Sequence, residues 1–278
     1  MGKFSNTWSL MGDSFRVLKQ DKEMLLFPLL SGICCLLVLA SFAIPIISSE
    51  SYQPPSSEAS IGEQVSYYGA LFAFYFCNYF VIIFFNSAIV ACAAKRMAGE
   101  NPTLADGFRA AFVRIHTIIG WALIAATVGL ILRIIEDRSK KVGAIIAAVL
   151  GAAWTMMSFL AVPILVIENK GPFAALKDST KLLKETWGEQ LISNFSFGLV
   201  FFLLFLPAIL IVVLGAMAGG YVLIACIVIA VLYAIVIALI QSTLQVIFQT
   251  ALYYYARHRQ APAGFAADTL SGAVGFRE

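Results

Sequence analysis

Six long apolar runs decide what this chain can fold into. A helix crossing a bilayer needs about 20 mainly apolar residues, and such runs extend over Met24–Ile47, Tyr67–Ala93, Ile118–Ile135, Val142–Ile167, Leu191–Met217 and Tyr221–Tyr254. None shows the polar–apolar alternation of a lipid-facing barrel strand, and backbone groups in lipid must be satisfied within the segment, so helices are the expected form. Composition agrees, since 60% of the residues are hydrophobic and 13% charged, against about 45–50% and about 25% in soluble domains. The expectation is an all-α polytopic membrane protein with six transmembrane helices.

The first run is expected to be retained rather than cleaved, because polar and mixed residues precede it and Ile46-Ile47-Ser48 is a poor small-residue cleavage site. Cys34, Cys35, Cys77, Cys92 and Cys226 all fall within apolar runs, where a thiol packs as a small hydrophobe. Their spacing matches neither a zinc site nor a disulfide framework.

Basic residues set the expected orientation. Of the 19 lysines and arginines, fifteen lie before run 1, between runs 2 and 3, between runs 4 and 5, or after run 6. The loop from Ser48 to Ser66 holds none, and carries Glu50, Glu58 and Glu63. Both termini are therefore expected in the cytoplasm. Arg133, Arg138, Lys140 and Lys141 dissent, lying between runs 3 and 4 beside Glu136 and Asp137. Arg133 is a candidate contact for a lipid headgroup there.

The stretch from Phe84 to Leu123 shows how the runs are joined. Run 2 ends at Lys95 and Arg96, Gly99 and Pro102 turn the chain, and an amphipathic segment leads into run 3. The same elbow is legible three times. Asp13-Ser14-Phe15-Arg16, Asp106-Gly107-Phe108-Arg109 and Asp178-Ser179-Thr180-Lys181 each precede an odd-numbered run, with acid and base three apart on one helix face. Runs 2 and 6 also echo each other, in Phe85-Asn86-Ser87-Ala88 and Phe248-Gln249-Thr250-Ala251. The expected architecture is a single membrane domain over residues 1–255, made of three elbow-and-hairpin units at 1–96, 97–168 and 169–255. Residues 256–278 would be a flexible polar tail.

Helical spacing gives each elbow an apolar face. In the first it runs through Phe4, Trp8, Met11, Phe15 and Leu18, and in the second through Leu104, Phe108, Phe112 and Ile115. Thr103 with Asp106 forms a capping pair, and Pro172 after Gly171 suits the first turn of the third elbow. Arg16, Arg109 and Lys181 are candidates to reach phosphates, and Trp8 and Trp187 to anchor elbows at the interface.

Within the runs, polar residues are sparse. Asn78 and Asn86, and the stripe Gln241, Gln245 and Gln249, suit hydrogen bonding between helices or a polar groove, with Asn194 and Ser196 at the start of run 5. Small residues at Gly143, Ala147 and Gly151, and at Gly215 and Gly219, predict close helix approach, which Gly151→Leu would disrupt. Pro163 and Pro207 predict kinks. No acidic or basic residue sits mid-run, which lowers the expectation of an ion-driven transporter.

Enzymatic chemistry finds little footing. The two histidines, His116 and His258, cannot form a metal-binding helix motif, and no nucleophile elbow or phosphate loop is present. Asp106-Gly107-Phe108-Arg109 resembles the opening of the CDP-alcohol phosphotransferase motif, but the later aspartates are missing. A non-enzymatic protein without cofactor or metal is expected.

Trp121 to Gly129 with Arg133 and Glu136, then Val162-Pro163, Glu168, Gly171-Pro172, Lys177, Ser179 and Trp187-Gly188-Glu189, resemble a family of bacterial six-span proteins, domain of unknown function 6159. The pattern is more loosely similar to the membrane domain of some bacterial glycerophosphodiester phosphodiesterases and to YciC-like proteins. The resemblance implies architecture and no activity. The leading expectation is phospholipid binding or organisation, or scaffolding of a membrane complex. Partners would be membrane phospholipids, and a second copy or another membrane protein, with no nucleic acid. The alternative is a channel or transporter for a small neutral or amphipathic solute, lined by Asn86, Gln241, Gln245 and Gln249.

Overall fold

The computed structural model describes residues 3–49, 60–138, 142–186 and 197–271, and every regular element among them is helical. In chain order these are α1 (Lys3–Gln20), α2 (Leu26–Ser49), α3 (Ile61–Met97), α4 (Leu104–Val113), α5 (Ile115–Arg138), α6 (Val142–Met157), α7 (Ala161–Ile167) and α8 (Pro172–Thr186). They are followed by α9 (Phe197–Ala218), α10 (Gly220–His258) and α11 (Ala267–Ser271), and a 3₁₀ turn, Lys22–Leu25, joins α1 to α2. Six stretches are long and apolar enough to cross a membrane, at Lys22–Ile44, Ile61–Met97, Ile115–Asp137, Val142–Ile167, Val200–Ala218 and Gly220–His258. The chain is an all-α polytopic membrane protein, and Leu36, Leu37, Ile145 and Leu232 face outward from their helices as a lipid solvent requires. The amphipathic helices α1 and α4 come directly before spans, and α8 ends at Thr186, with 187–196 outside the described residues.

Packing gathers the chain into two compact units whose boundaries cut across the sequential thirds. One comprises 1–25, 93–102 and 182–278, the other 26–92 and 103–181.

In the first unit, α9 and α10 form a tight hairpin. Gly219 and Gly220 turn it with φ of 69° and 55°, and the ψ of −175° at Gly219 is a conformation that only glycine adopts freely. Gly215 meets Cys226 across the hairpin, where a Cβ would lie 2.5 Å from that of the cysteine. Tyr233 donates to the Leu204 carbonyl at 2.8 Å. Helix α1 packs on α10 and α11 through Leu10, Asp13, Ser14, Val17 and Leu18, all buried. Of the apolar stripe expected from spacing, Leu18 is among these buried residues and Met11 is half-buried, so the stripe divides between protein and its surroundings. Trp8 and Phe15 are exposed, and the face against protein is turned away from them and includes an aspartate and a serine.

The C-terminal segment corrects an expectation. As far as Ser271 it is a docked element, because Phe265 and Leu270 are buried and Ala263 N–H donates to the Met97 carbonyl. Asp13 receives Ala266 N–H at 3.2 Å and Thr269 Oγ1 at 3.3 Å, so a side chain of α1 caps the first turn of α11. Nearby, Arg96 holds the buried Asp21 with two donors and also reaches Asn101. That pair joins the end of α1 to the end of α3.

In the second unit, α5 and α6 run antiparallel with Trp121 stacked on Trp154 at 5.6 Å. The close approach lies at Gly143, where a Cβ would press into the Ile135 carbonyl. At Gly151 a Cβ would lie 3.6 Å from Leu132 Cδ1, an ordinary contact, so the tightest approach of the small-residue stripe within the chain is at Gly143. The fourth span is broken, not merely kinked: α6 ends at Met157 and α7 begins at Ala161. Pro163 has no N–H to give the carbonyl of residue 159 and crowds that turn, which places the break four residues upstream of it. The buried Leu160 N–H then donates to Ser179 Oγ on α8 at 3.1 Å. Phe108 of α4 packs between Phe27 and Phe85, at ring distances of 5.3 and 6.2 Å.

Candidate functional site

The elbow motifs share one arrangement. Their second residue, Ser14, Gly107 or Ser179, is buried, and their fourth, Arg16, Arg109 or Lys181, is exposed. On a helix the two lie about 200° apart, so a small residue turned inward aims the base outward. Gly107 shows how tight the inner contact is, since a Cβ there would lie 2.6 Å from the Phe27 ring and 2.9 Å from Cys92 Sγ.

The motif acids serve local structure in three different ways. Asp13 pairs with Arg16 at 3.1 Å while capping α11. Asp106 closes a capping box with Thr103, receiving Thr103 N–H at 3.0 Å while Asp106 N–H donates to Thr103 Oγ1 at 3.2 Å. Asp178 is held by Lys170, which also pairs with Glu168 at 2.6 Å. The hydrogen bond to Asp178, then that to Glu168, raises the Lys170 pKa above the ordinary lysine value.

Each elbow also presents large apolar groups to its surroundings. Trp8 is 66% exposed and Phe15 carries Lys19 over its ring at 5.2 Å, Phe112 and Val113 are exposed on α4, and Phe173 is exposed on α8. Trp187 lies outside the described residues.

The polar intramembrane candidates are each described within their own compact unit. Gln241 and Gln249 are half-buried on α10, Gln245 is exposed, and Asn86 belongs to the other compact unit. The fully buried polar side chains of these helices are their neighbours Ser87, Thr243 and Thr250, each donating to the carbonyl four residues back. Spacing alone did not single these hydroxyls out as the buried set.

Arg133 lies near the C-terminal end of α5, with Glu136 at 3.3 Å and Asp137 at 3.2 Å. It lines a cleft together with Tyr75 and Tyr79 of α3. Neither tyrosine was a sequence candidate, although their i, i+4 spacing on an apolar helix marks a shared face. Among the described residues no three His, Cys, Asp or Glu side chains converge as a metal site would require.

No curated protein and no solved structure matches the chain, so the looser likeness to phosphodiesterase membrane domains and YciC-like proteins finds no counterpart there. The family model that does match covers residues 65–265, from within the second span to just short of α11, and the chain belongs to that family, the family of unknown function DUF6159.

Proposed function

We propose that this is a non-enzymatic protein of the bacterial inner membrane that binds or organises phospholipid through its basic elbows, with both termini in the cytoplasm. The observation that carries this reading is the shared elbow geometry, a buried small residue two positions before an exposed base, beside exposed aromatic groups. An amphipathic helix with such a face sinks its apolar side to the acyl boundary and leaves its cations among the phosphates. A second copy or another membrane protein would share the same lipid-covered surface as partner. A solute conduit lined by Asn86, Gln241, Gln245 and Gln249 has less support, because Gln245 points outward.

The test is charge reversal. The double variant Arg109→Glu, Lys181→Glu should lose most of the anionic phospholipid that copurifies with the wild-type protein in mild detergent, read by native mass spectrometry. Unchanged lipid retention in a folded variant would refute the reading.

A further inference from the structure

The second unit carries a cleft of about 420 Å³ between α3, α5 and α6, lined among others by Tyr75, Tyr79, Gly129, Arg133, Glu136 and Ala147. That is within the range of small-molecule sites, about 300–1,000 Å³. We infer that it holds one phospholipid whose zwitterionic headgroup ends in a primary ammonium. The inference rests on the lipid-binding reading but uses none of the elbow residues.

Position comes first. At about 1.5 Å of rise per residue, Gly129 and Arg133 lie about 14 and 8 Å from the C-terminal end of α5, the depth of a headgroup and its glycerol esters. The walls at that depth are small or apolar, with Leu132, Ala144, Ala147 and Ala148 beside Gly129. Gly129 lets the tyrosines lie against α5, since a Cβ there would sit 3.3 Å from the Tyr79 hydroxyl and 3.6 Å from the Tyr75 ring. An acyl chain fits such a surface.

The polar groups then select the head. The hydroxyls of Tyr75 and Tyr79 have no hydrogen-bond partner among the described residues. Both tyrosines are half-buried along the cleft, and the ester carbonyls of a phospholipid are acceptors their hydroxyls can meet at this depth. Arg133 has five N–H donors and spends them on single contacts to Glu136 and Asp137, leaving donors for a phosphate. The Glu136 and Asp137 carboxylates, each with one contact to Arg133, keep acceptor capacity that a primary ammonium with three N–H donors can meet. A choline has no N–H to give them.

The experiment is a competition. The full chain in detergent is offered phosphatidylethanolamine, phosphatidylcholine and phosphatidylglycerol of identical acyl chains in equal amounts, and bound lipid is read by native mass spectrometry. The ethanolamine lipid should be retained over the choline lipid by at least about tenfold, as one lost charge-assisted hydrogen bond implies, while the glycerol lipid reports on the elbows. Glu136→Gln with Asp137→Asn, at the exposed end of α5, should bring the ethanolamine and choline lipids to parity. Ala147→Phe should block the site, and Arg109→Glu with Lys181→Glu should leave the preference intact. No preference in the wild type, or a preference that survives the carboxamide pair and the phenylalanine, overturns the cleft. Preference lost only in the elbow variant overturns it too, and leaves the elbow reading standing.

Discussion

The backbone N–H of Leu160 donates to the hydroxyl of Ser179, both fully buried, so an elbow residue of α8 closes the gap in the fourth span. Ser179→Ala leaves that N–H buried without a partner. We expect a loss of about 2 kcal/mol, seen as a lower midpoint in thermal unfolding in detergent. The neighbouring Thr180→Ala removes only a hydroxyl bonded within its own helix to the Leu176 carbonyl, and should cost much less.

Gly107 and Gly151 should part ways under the same change. A Cβ at Gly107 meets Phe27, Cys92 and the Ala88 carbonyl at 2.6, 2.9 and 3.1 Å, so Gly107→Ala should destabilise by about 1–3 kcal/mol. Gly151→Ala has room and replaces a glycine within α6, which favours the variant by up to about 1 kcal/mol. Unfolding midpoints of the two variants in one detergent decide the matter.

Arg96→Ala leaves the Asp21 carboxylate, 9% exposed, without its two-donor partner. A loss of about 3 kcal/mol is expected. Arg96→Lys should restore only part of it, because a single ammonium cannot match both carboxylate oxygens. The midpoints of the two variants in chemical unfolding give the comparison.

Asp13→Ala removes the cap of α11 and should loosen the docked C-terminal segment. Trypsin should then cut at Arg257 or Arg259 several-fold faster than in the wild type, with the spans still folded. An unchanged cleavage rate would show that burial of Phe265 and Leu270 suffices without the cap.

Lys170 gives a pH dependence of definite sign. Its folded pKa is raised by Asp178 and Glu168, so its stabilisation is complete below the unfolded lysine value near 10.5 and is lost as pH climbs through the folded value. The stability gap between wild type and Lys170→Met should therefore stay constant from neutral pH to about 10 and close above it. A gap that widens in alkali would reverse the assignment.

Much of the fold was legible because lipid imposes length and hydropathy on every span. The Thr103–Asp106 box and Pro172 at the first turn of α8 were equally legible, since capping depends on neighbours in sequence. The face of α1 was not. A helix beside a membrane carries apolar residues both toward protein and toward lipid, and periodicity cannot separate two apolar surroundings. Its protein-facing side even includes Asp13 and Ser14, whose partners lie in a segment more than 250 residues away or within the helix itself. The same holds for the cleft, where Tyr75, Tyr79 and Arg133 meet only through tertiary packing.

The most direct measurement asks on which side the elbow bases lie. Single cysteines at positions 16, 109 and 181, in a chain whose five native cysteines are replaced, are treated with a membrane-impermeant maleimide in intact spheroplasts and in inverted vesicles. All three should label in inverted vesicles and stay unlabelled in intact spheroplasts. Labelling of any one of them from the outside would contradict a common cytoplasmic surface of lipid-binding elbows.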